Sequence, residues 1–172
     1  MKRPTWIIIG LALVGGIGWY AFRPELLLVD KRVNEPLPRE AAAETSPAPT
    51  SATSTEAAAP LLRGQFHSVA HETRGTATVH QLADGQRLLR LTEFETSNGP
   101  DLRVWLVAVP DATDDETVKK AAYVELGKLK GNQGDQNYDV PADLDLTKYR
   151  AATIWCKRFS VNFGAAPLTP VS

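Results

Sequence analysis

The chain has 172 residues with 19 basic and 20 acidic side chains, a balance with no basic stripe able to neutralise a phosphate backbone, which argues against nucleic acid as a partner. Its one cysteine, Cys156, excludes an intramolecular disulfide framework. Length and an apolar content of 43% fit a single domain with attachments.

The first attachment is N-terminal. Residues 6–22 form an uncharged run rich in Ile, Leu, Val and Gly, preceded by Lys2 and Arg3 and closed by Arg23 and Pro24. The run is at the short end of what spans a bilayer and longer than most signal-peptide cores. Trp6, Trp19 and Tyr20 lie near its ends, where amphipathic rings prefer the headgroup zone. No Ala-x-Ala cleavage pattern follows directly, so residues 1–23 read as an uncleaved transmembrane anchor in preference to a removed signal segment or a buried core helix. Lys2 and Arg3 lie closer to the run than Lys31 and Arg32 do, which favours an inside amino terminus and a folded part in the periplasm or extracellular space. An unpaired thiol in that compartment meets oxidants, so Cys156 must be shielded, used or coordinated.

Residues 24–62 read as a stalk and linker. From residue 35 to residue 62 the chain is dominated by Ala, Pro, Ser and Thr, with no aromatic residue and no apolar periodicity. Such a segment cannot bury enough surface to offset chain entropy, and prolines on both sides argue against a helix at residues 40–44. A disordered tether of this kind holds the following domain near the membrane at a local concentration of about millimolar.

Residues 63–172 change to short β-branched and aromatic stretches between turn residues. Strands are expected near residues 64–69, 76–82, 86–94, 102–109, 122–129, 136–140 and 151–163, with short helices conceivable only at 111–120 and 142–149. Asp84-Gly85 is a strong hairpin signal, and Asn98-Gly99-Pro100-Asp101 is a further turn. The fold class is all-β: an antiparallel β-sandwich or flattened barrel.

The last stretch alternates most clearly. Thr153, Trp155, Phe159, Val161 and Phe163 fall on one face, while Ile154, Cys156 and Arg158 fall on the other. Arg158 is thereby expected beside the thiol, where a guanidinium favours the thiolate.

These residues, Ile154-Trp-Cys-Lys-Arg-Phe-Ser-Val-Asn-Phe-Gly164, resemble the closing motif of the DM-thirteen family, described as an electron-transfer domain. Further matches run in order: Gly64-x-Phe66, His71 followed by Gly75, Asn98-Gly99-Pro100-Asp101-Leu102, Leu126-Gly127-x-Leu129-Lys130-Gly131, and Gln136-x-Tyr138-x-Val140-Pro141. Asp30-x-x-Val33-Asn34-Glu35-x-Leu37-Pro38 looks like the stalk of membrane-anchored bacterial members. The resemblance implies a redox role for Cys156, as a free thiol or as the ligand of a prosthetic group such as haem. His71 is implied as its partner or co-ligand; its plainer reading is a structural hydrogen bond.

Other candidates carry less. No Cys-x-x-Cys, Cys-x-x-Cys-His or His-Glu-x-x-His pattern occurs, which disfavours thioredoxin chemistry, covalent haem and zinc proteolysis. Asp111, Asp114, Asp115 and Glu116 lack the glycine and spacing of a calcium loop and read as a solvated loop. His67 and His80 read as surface residues, Asp101 as a turn-fixing side chain, and Asp143 and Asp145 as helix-start residues. Two classes of function remain. One is a membrane-tethered redox module working with an electron-transfer partner; the other is a non-catalytic β-sandwich that binds a ligand or surface protein, with Cys156 packed inside.

Overall fold

The computed structural model describes residues 29–38 and 58–171; the expected anchor and most of the expected linker lie outside the described residues. Among the described residues no helix is long and apolar enough to cross a membrane. Eleven strands are numbered in chain order: β1 (Arg32–Asn34), β2 (Ala59–Gln65), β3 (His67–Ser68), β4 (Thr73–Gln81), β5 (Arg87–Thr96), β6 (Leu102–Val107), β7 (Tyr123–Lys128), β8 (Gln133–Val140), β9 (Ala151–Cys156), β10 (Val161–Pro167) and β11 (Thr169–Pro170). Among the described residues a helix, α1 (Asp115–Lys120), precedes β7.

The strands form two sheets, in the orders β1-β8-β5-β4-β2-β11 and β3-β10-β9-β6-β7, and no barrel closes. Every pairing is antiparallel except β1 on β8. The sheets share one apolar interior, to which the first gives Val79, Leu89, Leu91 and Phe94, and the second Val104, Leu106, Ile154 and Cys156. Each large apolar side chain sealed there contributes about 1.5–3 kcal/mol. Period-2 alternation decides the sides: Val104 and Leu106 point into this interior, while Trp105 and Val107 point to the outer face of the second sheet. There α1 covers a smaller cluster with the fully buried Val118.

The Asp84-Gly85 hairpin forms between β4 and β5, with the Gln86 amide donating to Asp84 Oδ1 at 2.9 Å. Five expectations are corrected. The stretch 151–163 is two strands, not one: β9 ends at Cys156, residues 157–160 turn, and β10 returns beside it with Val161 opposite Cys156. Phe159, expected on a strand face, is therefore 64% exposed at the turn. Residues 142–149 form turns, not a helix. The strand expected from residue 64 begins at Ala59, and Arg32–Asn34, inside the segment read as stalk, is an edge strand of the first sheet.

Candidate functional site around Cys156

Cys156 closes β9, the third strand of the five-stranded sheet, with Leu102 of β6 opposite on one side and Val161 of β10 on the other. Alternation turns Ala152, Ile154 and Cys156 inward, and the thiol is 0% exposed in a core shared with Leu102 and Phe163. Trp155, one residue earlier, faces outward yet is only 4% exposed, because it stacks on Trp105 with ring centroids 5.2 Å apart and interplanar angle 24°. Trp105 stacks in turn on Tyr123 at 3.9 Å and 8°.

Arg158 lies in the exposed turn beyond β9. The strand face expected to set it beside the thiol does not form, because residues 157–160 turn the chain back into β10, whose Val161 lies opposite Cys156. His71 is exposed; its amide donates to the Phe163 carbonyl at 3.2 Å and its ring lies over the Phe163 ring at 3.8 Å. His71 thus covers the end of the apolar core from the solvent side, and no hydrogen bond joins it to Cys156. An axial haem ligand needs an open face at its donor atom. The Cys156 sulfur has none in this packing, so the residues as arranged do not fit a haem between Cys156 and His71. Among the described residues no group of three or more His, Cys, Asp or Glu is placed to hold a metal ion.

Beside Cys156 the turns of the family motifs meet. The turn at residues 98–102 and the turn at residues 128–132 face each other across a cavity of about 250 Å³, with Val29 and Lys31 at its edge. The second turn is held from below. Gln136 Oε1 accepts from the Lys130 amide at 3.1 Å, the Gly131 amide at 3.2 Å and the Tyr138 hydroxyl at 2.7 Å, while Gln136 Nε2 donates to the Gly131 carbonyl at 2.8 Å. Gln136 is fully buried, so each of these bonds answers a group that would be costly to leave unmade. Burial pushes the Tyr138 phenol above its usual range, against the opposing hydrogen bond from the Lys130 amide.

The same network docks the β1 segment. Lys130 Nζ reaches both Glu35 oxygens at 2.8 Å and the Asn137 carbonyl at 2.7 Å, and Glu35 also accepts from the Asn137 amide at 2.8 Å. Burial alone raises the Glu35 pKa, but Lys130, the Asn137 amide and the Arg90 charge together hold it below the usual carboxylate value. Asn132 receives the Lys31 amide at 2.7 Å and donates to Asp30 at 2.8 Å. Sequence reasoning did not give Glu35, Lys130 or Gln136 a role. The available signal was the pair of motifs Leu129-Lys130-Gly131 and Gln136-x-Tyr138, whose members meet here.

The remaining candidates have structural duties. Asp114 caps α1 by accepting from the Thr117 amide at 2.6 Å, Asp115 accepts from the Asn162 amide at 2.6 Å, and Asp111 pairs with His67 Nε2 at 2.9 Å. The acidic run is thus tied into the fold through Asp111, Asp114 and Asp115. Asp101 Oδ1 accepts from Arg103 Nε at 2.7 Å, and that bond comes first among the causes that raise the Arg103 pKa. Asp145 accepts from the Thr147 amide at 3.0 Å within a turn. His80 is partly buried, and desolvation lowers its pKa.

No curated protein and no solved structure matches the chain. The family model described as electron transfer DM13 matches residues 65–168, a span from the end of β2 to the end of the core that includes His71, both cavity turns and the Trp155-Cys156 pair. The chain therefore belongs to the electron transfer DM13 family.

Proposed function

We propose that the chain is an electron-transfer module held outside the cytoplasmic membrane by residues 6–22, with Cys156 as its redox residue acting from within the fold. The observation that carries the reading is the family match over residues 65–168, with the only cysteine inside it. The apolar run and the flanking charges support the tether and its direction. Full enclosure supplies the shielding that a lone thiol needs in an oxidising compartment. It also removes bimolecular thiol–disulfide exchange, which requires access to the sulfur. Electron exchange through packed side chains requires no such contact. The partner is then a redox protein or small acceptor at the membrane surface.

The complete burial of Cys156 favours one competing reading, a non-catalytic binding module in which the thiol is a small apolar core residue. Electron exchange with soluble one-electron mediators separates the two, measured on the full chain and on Cys156→Ser, with thiols counted before and after denaturation. The electron-transfer reading expects a redox signal in the parent that Cys156→Ser loses while keeping its fold. The binding reading expects no redox signal, a thiol silent until unfolding, and a stability loss of about 1–3 kcal/mol from the buried hydroxyl. Protease added to intact spheroplasts tests the tether: release of the domain by cuts within residues 39–57 is expected, and protection until lysis reverses the orientation.

A further inference from the structure

The cavity between the two motif turns has a definite chemical character. Its lining combines the apolar residues Pro100, Leu102 and Leu129 with Lys31 and Lys128, both of which are exposed. Neither lysine has a carboxylate partner among the described residues. Of the neighbouring charges, Lys130 is bound to Glu35 and the Asp101 carboxylate to Arg103, while Asp30, held by the side-chain amides of Asn98 and Asn132, offsets one of the two lysines and leaves the other in excess. The cavity therefore carries surplus positive charge over an apolar floor. At the Gly131 edge the Lys31 backbone packs so closely that a Cβ on Gly131 would come within 2.3 Å of the Lys31 carbonyl oxygen.

We propose that this cavity binds a small aromatic anion, its ring against Leu102 and Leu129 and its carboxylate or sulfonate between Lys31 and Lys128. A volume of about 250 Å³ admits a one- or two-ring molecule and falls just below the cavities that hold drug-sized ligands. An inorganic anion would leave the apolar floor uncovered, and a neutral aromatic would leave both ammonium groups unused. The position has a consequence for electron transfer. Leu102 lines the cavity, pairs in register with Cys156 and shares its core, so an occupant lies one side chain from the thiol. The binding itself does not rest on the proposed function.

The test is a titration of the full chain with naphthoate and, separately, with its neutral isostere naphthamide, reading the amide resonances of Gly99, Leu129 and Gly131. Naphthoate is expected to shift these amides and to bind about tenfold tighter than naphthamide, the equivalent of ~1.4 kcal/mol. The preference should shrink as salt is raised and vanish in a Lys31→Gln, Lys128→Gln double variant, which alters only exposed side chains. Equal binding of the two ligands, shifts confined to other surfaces, an unaffected double variant, or no binding would each overturn the proposal. Cys156→Ser should bind naphthoate as the parent does. Retained binding with no redox signal in the parent would therefore refute the proposed function and leave this site standing.

Discussion

Cys156 sits among Leu102, Ile154 and Phe163 with no polar partner among the described residues, whereas the β1 edge of the other sheet is held by Glu35, Lys130, Arg90 and Asp135 through charged hydrogen bonds. The β1 strand has three residues, and only Val33 among them is half-buried, so little apolar burial supports it. It nonetheless covers an edge of the six-stranded sheet that would otherwise present unpaired amides. The contrast teaches that the two regions answer to different perturbations. The core around Cys156 responds to volume, and the β1 edge responds to salt, pH and backbone shape.

The largest effect is expected where volume is removed. Trp155→Ala should cost about 3–5 kcal/mol, because it empties the space between Trp105 and the sheet, and the loss should be nearly independent of salt. Thermal denaturation at low and high ionic strength checks this. A near-parental melting temperature would show that the outer cluster is not part of the cooperative core.

A smaller and more local effect is expected at Gly134, which pairs with Val33 at φ +96°. A Cβ there would lie 2.1 Å from the Val33 carbonyl oxygen. Gly134→Ala should cost about 1–3 kcal/mol locally, lifting β1 while the interior stays intact. Hydrogen exchange at the Gln133 amide, which donates to the Lys31 carbonyl at 3.3 Å, and at the Glu35 amide, which donates to the Asp135 carbonyl at 2.9 Å, should lose protection. Parallel loss of protection at Ile154 would mean that the edge and the core unfold together, which would erase the comparison.

The smallest effect concerns charge. Glu35 and Lys130 are 32% and 41% exposed, so Glu35→Gln should weaken β1 docking by about 0.5–1 kcal/mol, and less as salt rises. Acid should act through the same group. The carboxyl is held below its ordinary value of 4.5 in the folded protein, so its contribution is complete above that value and is lost as pH falls through the lower folded value. Chemical shifts of Val33 and Asn137 should therefore move in that window before tryptophan fluorescence does, and Glu35→Gln should flatten the response. Simultaneous movement of both probes would contradict the separation.

Much of the second sheet was legible in the chain. Period-2 alternation placed Trp155 and Cys156 on opposite faces, and the structure sends one outward to Trp105 and the other inward to Leu102. The Asp84-Gly85 turn was equally readable, since its hydrogen bonds close within a few residues. The break after Cys156 was not. Residues 157–160 carry bulky side chains as a strand would, but they form a four-residue turn, with Ser160 at φ +54°, that returns β10 beside β9 and sets Val161 opposite Cys156. The cavity was legible only as two separate motifs, because neither turn names the other.

The sequence by itself determined an all-β domain, the parity of β9, and membership of an electron-transfer family through the Trp155-Cys156 motif and the turns that precede it. Tertiary structure alone decided which face of β9 became the interior, because both faces carry large apolar residues and alternation is blind to what covers them. It also decided that the segment read as stalk holds a docked strand, β1. Val33 binds the sheet through Gly134, and Lys31 binds Asn132 at a separation of 101 residues. Contacts of that range leave no periodic trace in the chain, since they depend on the shape of an edge that exists only once the sheet has formed.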